Sequence, residues 1–147
     1  MYAVESLSAK SLSFFGTLVL KRKQMIHGLG VDIIDISKFE RYLKLGKERF
    51  LRKVYTPREM IQSIGPSHPD YSLAACFAGK EAVMKALGTG WPRLRWKDIE
   101  IYFRCGGSIA ELKGDAMETL REAEGTKVLL SISICSPIVV ACALAVG

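Results

Sequence analysis

The sequence predicts an α+β fold, an antiparallel sheet packed against helices. Three observations carry that prediction. Helix-like and strand-like segments come in mixed order, and the strand-like segments are joined as hairpins. The last apolar stretch, Val128–Val146, carries no charge over 19 residues, yet Leu130-Ser131-Ile132-Ser133-Ile134 alternates and Ser136-Pro137 breaks it. A run of that length is nominally enough to cross a bilayer. Its β-branched content and its break fit two buried strands and a tight turn better, so no membrane span is expected.

Residues 1–24 read as an N-terminal extension, Ser-rich at first and ending in Lys21-Arg22-Lys23 just before a second methionine, Met25. An upstream start, a leader or a targeting presequence each accounts for them. The basic cluster follows the apolar Leu12–Leu20 instead of preceding it, the wrong order for a secretory signal. The folded domain is expected over 25–147. Met25–Ile34 reads as a strand, and Gly28 and Gly30 in its middle mark a close backbone approach or a bulge. Ser37–Leu45 and Lys47–Lys53 read as two short helices. Thr56-Pro57-Arg58-Glu59 starts another, with Thr56 as N-cap and Glu59 closing a capping box, and Gly65-Pro66 ends it. Asp70 can cap the long helix Tyr71–Leu87, which Gly88-Thr89-Gly90 terminates. Strand Asp98–Arg104, a turn at Cys105-Gly106-Gly107 and strand Ser108–Lys113 come next. Helix Asp115–Glu124, with Gly125 at its stop, leads into the hairpin Lys127–Val146.

The 147 residues suffice for one domain with a real core, and the net charge of +6 points to an anionic partner. Nucleic acid, a phosphate-rich cofactor and an acidic protein all qualify. Cys76, Cys105, Cys135 and Cys142 show no CxxC spacing and are joined by only two histidines. That argues against a zinc site or a disulfide framework and for reduced thiols in a cytoplasmic protein.

Glu81 is the most informative residue. With Leu73 at the origin of a helical wheel, Met84 falls at about 20°, Phe77 at about 40°, Glu81 at about 80° and Lys85 at about 120°. A carboxylate beside the apolar stripe needs a partner or a metal. A Glu81–Lys85 pair at i,i+4 spacing is the simpler answer. Asp32 lies in an otherwise apolar strand, where backbone amides alone can satisfy it. Taken together, two inward carboxylates from separate elements are the usual protein share of a Mg²⁺ site, the other ligands coming from a phosphate-bearing substrate and water. Lys80 and Lys85, with the amides and hydroxyl of Gly88-Thr89-Gly90, can hold phosphate oxygens. The stretch Lys38–Arg58 carries eight basic residues against Glu40 and Glu48, which makes either a solvated helix face or a docking surface for an acidic partner. Nucleic acid is the less favoured partner, because no RNA-binding aromatic motif accompanies the charge.

Five blocks stand in order along the chain: Gly28-Leu29-Gly30-Val31-Asp32-Ile33, then Arg49-Phe50…Lys53-Val54-Tyr55-Thr56…Glu59, then Phe77-Ala78-Gly79-Lys80-Glu81-Ala82 with Lys85-Ala86-Leu87-Gly88-Thr89-Gly90, then Asp98-Ile99-Glu100 and Leu130-Ser131-Ile132-Ser133. The first resembles the opening motif of the holo-[acyl-carrier-protein] synthases, of the 4′-phosphopantetheinyl transferase superfamily. The second resembles a middle segment of that family, the third its second signature, and the last two its later blocks.

The resemblance implies transfer of 4′-phosphopantetheine from coenzyme A to a serine of an apo-acyl carrier protein, releasing adenosine 3′,5′-bisphosphate. It implies Asp32 and Glu81 as the catalytic pair holding Mg²⁺, and Lys80, Lys85, Gly88, Thr89 and Gly90 around the coenzyme A phosphates. Lys38, Arg49 and Lys53 would meet the acidic helix of the carrier protein. It further implies a homotrimer with active sites between subunits, working in fatty-acid synthesis. The base is left as Glu81 or a water on the metal. Three positions depart from the family's usual pattern: Ile134 stands where His is usual, Cys76 where Arg is usual, and Gly107-Ser108 where Lys-Pro is usual. The first two departures predict weaker coenzyme A binding or a slower reaction, and they motivate an alternative: a relative that binds carrier protein or coenzyme A without turnover.

Overall fold

The computed structural model describes residues 25–64 and 69–147, so the expectations for residues 1–24 and for Gly65-Pro66 lie outside the described residues. The order is β1 (Ile26–Asp35), α1 (Ile36–Val54), α2 (Pro57–Ile64), α3 (Pro69–Ala86), β2 (Ile99–Arg104), β3 (Gly107–Leu112), α4 (Gly114–Glu122), β4 (Lys127–Cys135) and β5 (Ile138–Val146). A turn of 3-10 helix at Trp96–Asp98 precedes β2. Strands β1, β5 and β4 form one antiparallel sheet in that order, and β2 pairs with β3 as a separate hairpin. This is the α+β architecture expected. The apolar C-terminal run is indeed two strands, and no helix among the described residues is long and apolar enough to cross a membrane.

The helices differ from expectation in three places. Ser37–Lys53 is not two short helices but part of one, α1, which runs through Gly46. A glycine inside a helix costs roughly 1 kcal/mol. Phe39, Leu43 and Val54 are buried along one face of α1, with Phe50 and Leu51 half-buried, and that burial outweighs the penalty. Asp70 sits within the first turn of α3 instead of capping it, a position where a negative charge still complements the helix dipole. At the end of α4 the left-handed residue is Glu124, at φ 58°, and Gly125 is there for packing: a Cβ would strike the Leu120 side chain.

The capping box forms as expected. The Thr56 amide donates to Glu59 Oε2 at 2.8 Å and the Glu59 amide to Thr56 Oγ1 at 3.3 Å.

Helix α3 is the centre of the molecule and packs on the three-stranded sheet. Ala141, Ala143 and Ala145 of β5 and Ala78, Ala82 and Ala86 of α3 are buried, small residues that let helix and sheet approach closely. The glycines of β1 complete that approach, since a Cβ on Gly28 would fall on the Ala86 carbonyl and one on Gly30 on the Ala82 carbonyl. The opposite face of the sheet is open and apolar: Leu29 is 60% exposed, Ile33 63% and Leu129 44%, with Val31 and Val140 beside them.

Candidate active site

The glycine-mediated contact decides where the chemistry sits. In β1 the residues with even numbers face α3, so Asp32 emerges two residues beyond Gly30, against the C-terminal half of that helix. Lys85 Nζ donates to Asp32 Oδ1 at 2.8 Å and to the Val31 carbonyl at 2.9 Å. The expected i,i+4 partner of Lys85, Glu81, is not its ion-pair partner, because the carboxylate of the facing strand lies nearer. Asp32 is 13% exposed, and its Oδ2 is buried without a hydrogen-bond partner.

Glu81 is half-buried beside it. Burial pushes its pKa above the usual carboxylate range and the neighbouring Asp32 charge pushes it further, while Lys85 partly offsets both. An unpartnered buried carboxylate oxygen next to a second, like-charged carboxylate is a place that attracts a hard cation. Among the described residues no cluster of three or more His, Cys, Asp or Glu is arranged for a metal. Two protein oxygens thus fit an ion that takes its other ligands from phosphate and water, and they do not fit zinc.

Lys80 requires a correction. Its ammonium is fully buried and pairs with Glu59 Oε2 at 2.9 Å, while also donating to the carbonyls of Trp96 and Ile99. It cannot reach a coenzyme A phosphate from there. Burial pulls the Lys80 pKa down and pushes that of Glu59 up, and each charge works against the other's shift. Glu59 also accepts from the Ile101 amide at 2.8 Å, so one carboxylate ties α2, α3 and β2 together. The sequence held a signal for this: on the same wheel Lys80 lies about 20° from Leu73, deeper in the apolar stripe than Glu81.

The Gly88-Thr89-Gly90 turn is corrected in part. Gly88 has φ 69°, and the amides of Gly88 and Thr89 close the helix by donating to Lys85 and Met84 carbonyls at 3.1 and 3.2 Å. The groups left for a ligand are the Thr89 hydroxyl and the Gly90 amide. Lys85, half exposed, supplies the positive charge that a helix C-terminus lacks.

Lys38, Arg49 and Lys53 are brought together on a cavity of about 800 Å³ between α1 and α3. Its inner wall is aromatic: Phe77 stacks on Trp96 at 5.2 Å between ring centroids and lies 5.7 Å from both Phe39 and Phe50. The cavity reaches Ile33, Ile34 and Asp35, the residues directly after Asp32. Asp35 accepts from the Lys38 amide at 3.1 Å, a cap of α1 that the sequence reading did not assign. Trp91 and Trp96 also line it, and being distant in sequence from α1 they carry no local signal of that place.

Of the departures, Cys76 is fully buried, its thiol pushed up to about 12 by burial and by Glu59. Gln62 donates to its sulfur at 3.3 Å and to the Ile101 carbonyl at 2.8 Å. Ile134 is 47% exposed and lines a shallow hollow with Gln62, Ser72 and Phe103. The two substituted positions thus meet around one glutamine.

Comparison with known proteins places the fold and the motif order together. The family model described as the 4′-phosphopantetheinyl transferase superfamily matches residues 28–141. A holo-[acyl-carrier-protein] synthase of Natranaerobius thermophilus is 41% identical over 110 residues, which cover 74% of this chain and 88% of that relative. The solved holo-[acyl-carrier-protein] synthase of Neisseria meningitidis superposes with a TM-score of 0.75 at 30% identity, over 82% of this chain and 98% of that one. That of Helicobacter pylori, solved in complex with coenzyme A, superposes with a TM-score of 0.68 at 27% identity, over 81% and 99% of the two chains.

Proposed function

The chain belongs to the 4′-phosphopantetheinyl transferase superfamily, and from that premise we propose the reaction of a holo-[acyl-carrier-protein] synthase: coenzyme A gives its phosphopantetheine arm to a serine of apo-acyl carrier protein, and adenosine 3′,5′-bisphosphate leaves. The observation that carries the site assignment is the buried, unpartnered Asp32 Oδ2 beside Glu81 and Lys85.

Asp32 and Glu81 would hold Mg²⁺. When bound, the ion neutralises charge on the pyrophosphate and aligns it for attack. The residues themselves do the rest. Lys85, anchored on Asp32 Oδ1 and the Val31 carbonyl, turns its exposed side to a phosphate oxygen. Thr89 and Gly90 flank the same end of α3. Glu81, whose pKa burial and the neighbouring Asp32 charge raise above the usual carboxylate range, is placed to accept the serine proton. Lys38, Arg49 and Lys53 face the carrier protein and bring its serine toward Asp32, whose neighbours line the same cavity.

We read the chain as a homotrimer, with residues 25–147 as the transferase unit. The open apolar sheet face around Leu29, Ile33 and Leu129 supports burial against other copies. A cytoplasmic setting suits four free thiols. The test is mass spectrometry of apo-acyl carrier protein incubated with this protein, coenzyme A and Mg²⁺, with an EDTA control. One added phosphopantetheine, lost with chelator, is expected. Carrier binding without product would favour the non-catalytic alternative.

A further inference from the structure

Trp91 follows the Gly88–Gly90 turn directly and is 54% exposed, an unusual position for the largest apolar side chain. Its ring carries the Lys53 ammonium 3.8 Å from its centroid, across the mouth of the aromatic cavity. Lys53 has no carboxylate partner among the described residues, so the ring alone holds its charge at that rim. The cavity therefore joins an apolar interior to a rim of three cations, Lys38, Arg49 and Lys53.

We propose that Trp91 is a specificity-determining residue for the carrier protein: its ring forms the outer wall of the pocket that receives an apolar side chain of the partner's acidic helix, and presents Lys53 to a carboxylate of that helix. The inference rests on the transferase reading and adds to it a residue outside α1. Charge complementarity selects the occupant. A cationic rim attracts an acidic surface, and a cavity lined by Phe50, Phe77 and Trp96 gains most from one bulky apolar side chain of that surface. Trp91 supplies both contacts from one ring.

The test compares Trp91→Ala, Trp91→Phe, Lys53→Ala and the double variant in the carrier-modification assay. Trp91→Ala raises the KM for apo-acyl carrier protein about tenfold, as expected for loss of a desolvated ring contact. It leaves the KM for coenzyme A and the rate at saturating carrier within error of wild type. Trp91→Phe restores most of the loss, and the double variant loses less than the two single effects combined. An unchanged KM for the carrier overturns the proposal. So does a parallel rise in the KM for coenzyme A, which would put the pantetheine arm in the pocket.

A second measurement does not need turnover. In a Trp96→Phe background, where Trp91 is the only tryptophan, carrier binding shifts Trp91 emission as Lys53 turns to its new partner. A shift without any transfer would remove the transferase reading and keep the recognition role, whereas no shift in a protein that does transfer would remove the recognition role alone. Absence of both would remove both.

Discussion

Lys80 and Glu59 form an ion pair of 2.9 Å in which both side chains are wholly buried, so the lysine beside the candidate catalytic glutamate is a structural strut. The 100° step between successive residues of α3 is the reason. Lys80 turns into the core and holds Trp96 and Ile99 by their carbonyls, which sends its neighbour Glu81 toward β1.

Breaking that pair from one side strands a buried charge. Lys80→Met should cost about 3–5 kcal/mol of folding stability, read by urea unfolding. Adding Glu59→Gln should recover part of it, because it removes the stranded charge and its amide oxygen still accepts from the Ile101 amide, while the Thr56 amide, which donates to the other oxygen, loses its acceptor. Equal losses in the single and double variants would show that the two charges are not coupled.

The carboxylates make the opposite prediction. Asp32→Asn and Glu81→Gln should each lose nearly all transfer activity and Mg²⁺ binding, followed by calorimetry, while far-ultraviolet circular dichroism stays unchanged. Full activity in either variant removes that residue from the site.

Glu81 also predicts a pH signature of stability in the metal-free protein. Its folded-state pKa is raised by burial and by Asp32, so the folded state holds the proton more tightly than the unfolded chain. Stability is therefore lost as pH rises from the ordinary glutamate range through the raised value, and the loss persists above it. Glu81→Gln in EDTA should raise the melting temperature at neutral pH, with the gain vanishing in acid where Glu81 is protonated in both states. A gain that grows toward acid pH would reverse the assigned direction.

Gly30→Ala places a methyl group on the Ala82 carbonyl and must separate β1 from α3. A cost of about 1–3 kcal/mol is expected from overpacking. Asp32 would move with its strand, so activity should fall further than the stability loss explains. Activity falling only in proportion to unfolded protein would leave the glycine a packing role alone.

The open sheet face gives a test of assembly. Leu29→Lys puts a charge among Leu129, Val31 and Ile33 and should shift the sedimentation coefficient from that of a trimer to that of a monomer. A wild-type protein that sediments as a monomer would end the trimer proposal.

The sequence by itself determined the element types, the capping box at Thr56–Glu59, the hairpin after Lys127 and the family, because these follow from local period, turn chemistry and ordered motifs. It also brought forward Asp32, Glu81 and Lys85, since a charge set beside an apolar stripe is visible on a wheel or in an alternating strand. It misjudged what those charges pair with. Which carboxylate meets Lys85, that Lys80 is spent on Glu59, that two turn amides close α3, and that Trp91 rests on Lys53 were decided only by tertiary structure. Each of these depends on distances between residues far apart in the chain, set by how closely Gly28 and Gly30 let β1 approach α3 and by how α1 lies across the aromatic cavity. Local patterns state what a residue needs; only the packed fold supplies the partner.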